Sequence, residues 1–133
     1  MKFAVDCMLG KLAKWLKILG FDAVFFSRIE DEELMAIAQK EDRILLTRDT
    51  GIIERARDME TLFISSEDWR VQIKQVLDHF DLWKDVNPNS RCIECNTPLR
   101  ELSKKRARNL VTPFVYEKAS TFALCPACGR LAV

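Results

Sequence analysis

Lys2-Phe3-Ala4-Val5-Asp6, running on into Met8 to Leu19 and stopped at Gly20, is the stretch on which the fold turns. Its first residues form a short apolar run ending on a carboxylate, the pattern of a buried strand. From Met8 onward Leu9, Leu12, Ala13, Leu16 and Leu19 recur at helical spacing, and Gly20 is the residue type that closes a helix. A strand passing directly into an amphipathic helix is half of a βαβ unit. The same alternation repeats downstream. Residues 22–26 predict a second strand, and Glu30-Asp31-Glu32-Glu33 puts negative charge into the first turn of a helix ending at Lys40. Residues 43–47 predict a third strand, followed after Arg48-Asp49 by a short helix carrying Ile52, Ile53 and Ala56. Residues 61–65 predict a fourth, with Ser66 as N-cap of a helix over 67–80. Four strands alternating with four helices predict an α/β protein with a small, doubly wound parallel sheet.

Asn87-Pro88-Asn89 breaks this rhythm. The expected organisation is a body over residues 1–86, a linker at 87–90 and a second unit over 91–133 built of short strands and turns rather than helices. With 133 residues there is room for one core and an appendage. Hydrophobic residues at 48% and charged residues at 31% describe a globular chain rather than a disordered one. No apolar run reaches the roughly 18 residues of a membrane span, and the N-terminal run is too short for a signal peptide, so a cytoplasmic protein is expected. The net charge of +1 conceals a division. Residues 1–90 hold 13 basic and 17 acidic side chains, residues 91–133 hold 8 and 3. An acidic body suits cation binding, and a basic tail suits a polyanion.

Four of the five cysteines form two CxxC pairs, Cys92/Cys95 and Cys125/Cys128. Each pair is a knuckle that offers two thiolates to one metal, and two knuckles complete a tetrahedral zinc site with no open position, hence a structural one. A 43-residue unit buries too little apolar surface to hold itself together, so the metal is expected to stabilise it. Lys104, Lys105, Arg106 and Arg108 give this zinc ribbon a basic surface suited to nucleic acid.

In the body, Asp6 follows the first strand directly and Asp49 follows the third after one arginine. Ligands of open α/β sheets bind at the carboxyl ends of the strands, so these acids face one crevice, which Asp31 joins from the start of the second helix, with Glu30 or Glu33 as substitutes. Carboxylates so placed suit Mg²⁺ or Mn²⁺, which could activate water and stabilise the leaving oxygen of a phosphodiester. Lys11, Lys14 and Lys17 stripe the first helix and could meet a substrate backbone. His79 is the sole histidine, so no two-histidine nuclease is available, and Cys7 has no histidine nearby to deprotonate it. Trp15, Trp69 and Trp83 are expected to be packing residues.

Asp6-Cys7-Met8-Leu9-Gly10-Lys11-Leu12-Ala13-Lys14-Trp15-Leu16, then Leu19-Gly20-Phe21-Asp22, Asp31-Glu32-Glu33-Leu34 and Leu46-Thr47-Arg48-Asp49, ahead of the two knuckles, resemble the Mut-seven C-terminal ribonuclease family. Its members are PIN-like domains fused to a C-terminal zinc ribbon. The resemblance implies that Asp6, Asp31 and Asp49 bind a divalent metal, with Thr47 or Arg48 orienting the last of them, and that the substrate is RNA. The expectation is therefore a metal-dependent ribonuclease. The competing class is a non-catalytic adaptor, binding RNA or protein, that keeps the acids as a vestige. An aspartyl phosphoacceptor is disfavoured because Cys7, not a second acid, follows Asp6.

Overall fold

A computed structural model describes residues 1–132; Val133, the last residue of the expected ribbon, lies outside them. The body follows the expected alternation: β1 (Lys2–Val5), α1 (Gly10–Ile18), β2 (Asp22–Phe25), α2 (Asp31–Lys40), β3 (Ile44–Thr47), α3 (Thr50–Arg55), β4 (Thr61–Phe63) and α4 (Trp69–His79). All four strands are parallel, in the order β2-β1-β3-β4. Side chains alternate across the sheet with period two. Phe3, Val5, Ile44 and Leu46 pack on one face against Leu12 and Leu16 of α1 and Val76 and Leu77 of α4. Ala4 and Leu45 turn to the other, under Leu34 of α2 and Ile52 of α3.

Two local details differ from the expectation. The residues after Asp6 first make a 3-10 turn, Cys7–Leu9, before α1 begins. The N-cap of α4 is Asp68, whose carboxylate accepts from the Arg70 N–H at 2.9 Å; Ser66 instead accepts from the Asp68 N–H and shapes the approach. Asp68 is the cap because the helix starts at Trp69, so the Arg70 N–H is one of its unpaired first-turn donors, whereas the donor that Ser66 satisfies lies outside the helix.

α1 closes as expected. The Gly20 N–H reaches Lys17 O and the Phe21 N–H reaches Leu16 O, a Schellman motif with Gly20 at φ 95°. A side chain at position 20 would also collide with Asn87 O, 2.5 Å from where its Cβ would stand. That close approach exists because residues 87–90 are strapped to the end of α1: the Asn87 N–H donates to Leu19 O and the Asn89 N–H to Ile18 O.

Beyond the strap lies an antiparallel sheet of β5 (Arg100–Leu102), β6 (Phe122–Leu124) and β7 (Leu131–Ala132), in that order. Between β5 and β6 the chain forms two short helices, α5 (Lys104–Ala107) and α6 (Pro113–Lys118), in a unit where short strands and turns rather than helices were expected. Ser103 caps the first and Thr112 the second, with Pro113 at its first position.

The first knuckle covers an exposed sheet edge. β2 is an edge strand, and its Ala23 N–H is taken by Asn96 Oδ1 at 3.0 Å, while Asn96 Nδ2 donates to Asp22 Oδ1 at 2.6 Å. Arg43 completes the cluster at 2.6 Å from the same carboxylate. Burial opposes ionisation of Asp22, but hydrogen bonds from Arg43 and Asn96 overcome it and hold the carboxyl below its usual range. A group whose folded pKa is depressed contributes stability above its unfolded pKa and loses it as pH falls through the folded one. Replacing Asn96 (φ 63°) with Gly keeps the left-handed turn and deletes both side-chain bonds. Asn96→Gly is expected to cost about 1–3 kcal/mol at neutral pH and less in acid, measured by denaturant melts at both pH values. Equal losses at both would detach Asp22 from the effect.

Candidate active site and metal centre

The sheet order reverses between β1 and β3: the chain leaves β1 toward β2 on one side and returns to β3 on the other. Such a switch point opens a crevice at the carboxyl ends of the strands. Asp6 and Thr47 stand at this end of the sheet because they are the next residue after β1 and the last of β3. The Asp6 N–H still donates to Leu46 O at 3.0 Å, which extends the ladder and fixes the carboxylate against the neighbouring strand.

Thr47 links the two strand ends. Its hydroxyl, fully buried, donates to Asp6 Oδ2 at 2.7 Å and accepts the Asp49 N–H at 3.0 Å. Asp49 Oδ1 in turn accepts from the Gly51 N–H at 2.8 Å and so caps α3. Of the two residues thought to orient Asp49, Thr47 is in contact and Arg48 is not. The Arg48 guanidinium turns to Ile64 O at 3.2 Å and to Glu67 at 3.6 Å.

Asp31 opens α2, and its Oδ2 accepts from Arg55 at 2.8 Å; the same guanidinium holds Glu32 at 2.9 Å. Arg55 also feels Asp49, so this cation stands between the α2 and α3 sides of the crevice. Glu33 is exposed on α2. The acids do not draw into a closed cage. Among the described residues, the four cysteines are the group of three or more potential ligands whose donor atoms all lie within 4.8 Å of one another.

A hard cation fits this open arrangement in one respect. Asp6 is 4% exposed, yet among the described residues neither it nor Asp49 has a lysine or arginine within 4 Å, whereas Asp31 has Arg55. A buried carboxylate without a counter-cation is costly, and Mg²⁺ or Mn²⁺ takes only one or two carboxylates directly, filling its other positions with water and phosphate. Cys7 lies beside the site. Partial burial, then Asp6, then Asp31 push its thiol up, so it stays protonated and is no nucleophile at neutral pH.

The second centre is the pair of knuckles, which share one construction. The Cys92 N–H donates to Thr97 O and the Asn96 N–H to Cys92 O; the Cys125 N–H donates to Arg130 O and the Gly129 N–H to Cys125 O. Each turn needs a left-handed residue after its second cysteine, supplied by Asn96 and by Gly129 at φ 78°. Cys92 Sγ lies 3.7 Å from Cys128 Sγ and Cys95 Sγ 3.1 Å from Cys125 Sγ. A tetrahedron with Zn–S near 2.3 Å has sulfurs about 3.8 Å apart, so the cluster is of the size to bind zinc. Hydrogen bonding from Thr97 first, then Cys125, pulls the Cys95 thiol down to about 6, which readies one ligand as a thiolate.

The candidate RNA contacts fall in different places. Lys11 and Lys14 are exposed on α1, whereas Lys17 is half-buried beside Glu94 and the Cys92–Cys95 knuckle. Lys104, Lys105, Arg106 and Arg108 are exposed on and after α5, with Lys104 Nζ 5.1 Å from the Tyr116 ring centroid. Trp15 and Trp69 stack on each other, but Trp83 is 54% exposed and anchored only through its Nε1–H to Asp78. Sequence reasoning missed Arg55 and the Trp69–Arg70 pair. No local signal marks Arg55, because its partners Asp31 and Glu32 lie more than twenty residues away.

Aspartates at the switch point of a parallel sheet, with a four-cysteine unit against the sheet's β2 edge, define a small α/β protein with two candidate metal centres. Residues 1–131 match the model of the family described as the Mut7-C RNAse domain, and the chain belongs to that family. No curated protein and no solved structure matches the chain. No helix among the described residues is long and apolar enough to cross a membrane.

Proposed function

We propose that the protein is a divalent-metal-dependent ribonuclease that hydrolyses RNA phosphodiester bonds in the β1–β3 crevice, with Asp6, Asp31 and Asp49 as the Mg²⁺- or Mn²⁺-binding acids. The observation that supports it best is the buried, cation-free Asp6 carboxylate held by Thr47 at the switch point. The metal would supply Lewis-acid stabilisation of phosphate charge and a more acidic bound water. Thr47 is a positioning residue: its donated bond fixes Asp6, and its accepted bond fixes the backbone that carries Asp49. Asp31 completes the set once Arg55 yields its oxygen. In this reading residues 1–86 are the catalytic unit, 87–90 the strap and 91–133 a ribbon built on structural zinc. Lys104, Lys105, Arg106 and Arg108 then add affinity for RNA, as do Lys11 and Lys14. A cleavage assay on mixed RNAs with and without Mn²⁺ tests the whole. Hydrolysis that needs the metal is expected; none under either condition leaves the non-catalytic adaptor, binding RNA or protein, the reading that the Arg55–Asp31 pair favours.

Arg55 makes a separate, measurable contribution. It is exposed enough that its pairs with Asp31 and Glu32 are worth little to folding, yet any metal at Asp31 competes with it. Arg55→Gln is expected to tighten Mn²⁺ binding several-fold in a calorimetric titration with no change in melting temperature beyond a degree or two. Unchanged Mn²⁺ affinity would separate Asp31 from the metal site.

A further inference from the structure

The acidic crevice has two unlike banks. On the α2 bank Glu30, Glu32 and Glu33 accompany Asp31, and the one cation paired with them, Arg55, is taken up by Asp31 and Glu32. On the opposite bank the second turn of α1 meets the first turn of α4. Trp15 and Trp69 stack with ring centroids 4.7 Å apart and planes 10° from parallel. Lys11 Nζ lies 5.7 Å from the Trp69 ring centroid, and the Arg70 guanidinium carbon 4.8 Å from it. Both indoles are half-buried and both cations exposed. α1 begins just past Asp6, and α4 begins past the end of β4, so the cluster stands on the same sheet edge as the acids.

This grouping is more than packing requires. Among the described residues neither Lys11 nor Arg70 has a carboxylate within 4 Å, so two unneutralised cations are held over one indole. Met8, between Asp6 and Lys11, leaves 66% of its surface in solvent and extends the apolar ground toward the acids. Cations beside an aromatic face form the pattern that holds a single strand, where phosphate meets the charges and an unstacked base meets the ring. A duplex cannot use it, because its bases are covered by their neighbours.

We propose that Lys11, Trp69 and Arg70 form a nucleotide subsite for single-stranded RNA, flanking the acidic crevice and seating the strand on the α1–α4 bank. The Trp15 indole backs the Trp69 ring and keeps it rigid. Arg70, an exposed side chain on the first turn of α4, gives up its place over the ring to the incoming base and takes the phosphate instead. The subsite rests on the nuclease reading above for its position beside a scissile bond, but its RNA affinity is measurable without cleavage.

The test uses the full zinc-loaded chain carrying Asp6→Asn, with no added Mg²⁺ or Mn²⁺, and a short unstructured fluorescein-labelled RNA read by anisotropy. Trp69→Ala is expected to raise Kd about tenfold or more, with Trp69→Phe recovering most of the loss. Lys11→Gln with Arg70→Gln should weaken binding and flatten the log–log salt slope by about 1.4, two contacts at about 0.7 each on a single strand. The same sequence annealed into a duplex should bind more weakly. Both exposed cations can be replaced without touching the core, so the double variant carries the test if Trp69→Ala fails to fold. Parental affinity in the double variant, a preference for the duplex, or no RNA binding by the parent would each overturn the subsite. The nuclease reading fails separately: a chain that binds through this cluster but never cleaves loses its catalytic assignment and keeps its subsite.

Discussion

Asp6→Asn should lower RNA cleavage by about 100-fold or more while leaving the metal-free protein as stable as the parent, or more so. The asymmetry follows from the surroundings of Asp6. Its carboxylate is buried, accepts one hydrogen bond from Thr47 and, among the described residues, has no lysine or arginine within 4 Å, so in the absence of metal its charge is a cost to folding. An asparagine keeps an oxygen for the Thr47 hydroxyl and sheds the charge. The parent should therefore gain stability on adding Mn²⁺, by RT ln(1 + [L]/Kd) when only the native state binds, and Asp6→Asn should lose most of that gain. Asp49→Asn is a cleaner companion than alanine, because asparagine caps a helix about as well as aspartate and α3 needs that cap. A melting series with and without Mn²⁺ beside the cleavage assay decides. Variants that melt earlier, keep the full metal shift and cut RNA at the parental rate would make the two aspartates structural residues.

What could be read in the chain beforehand divides along physical lines. The four strands and four helices of the body were legible because each buries a face, and burial imposes a period of two or 3.6 on the residues. The placement of Asp6 and Asp49 was legible for a topological reason: a residue just past a parallel strand must stand at the carboxyl edge of the sheet, which makes both candidates for a site there. The cysteine ligands were legible because CxxC spacing is dictated by the metal. What escaped was either too little buried or too distant. α5 and α6 bury only Ala107 between them, so no apolar period marks them, although Ser103 and Thr112-Pro113 are start signals that could have been weighed. Arg55 meeting Asp31, Trp69 meeting Trp15 and Asn96 meeting Asp22 are side-chain encounters between distant segments, and a single sequence carries no trace of them. Of the two residues that the resemblance offered for orienting Asp49, Thr47 is in contact with it, whereas successive residues leaving a strand point to opposite sides and Arg48 turns to Ile64 O.

Removing zinc should have the largest effect on structure. Among the described residues of the ribbon only Cys92, Ala107, Phe122 and Cys125 are buried, and two of these four are ligands themselves. Such a core cannot offset the entropy of ordering about forty residues, whereas structural zinc contributes on the order of 10–16 kcal/mol in zinc-finger peptides. One zinc per chain is therefore expected, and Cys92→Ser with Cys125→Ser, which takes one ligand from each knuckle, should abolish it. The consequence is predicted to be unequal along the chain. Amide exchange should lose its protection over β5–β7 and both knuckles, while β1, β3 and the helices packed on them keep theirs, because the core on either side of the parallel sheet contains no ribbon residue. β2 is the exception within the body. Its Ala23 N–H is satisfied by Asn96, so unfolding the first knuckle frees the sheet's edge, and an unpaired edge strand invites pairing with another chain. The double variant should thus aggregate more readily than the parent at equal concentration, and a lysine placed at the exposed edge should suppress this. Metal analysis, amide exchange and light scattering on the same preparations test each step in turn. Finding no stoichiometric metal in the parent, or full exchange protection over residues 91–132 in the double variant, would remove zinc from the account of how this ribbon folds.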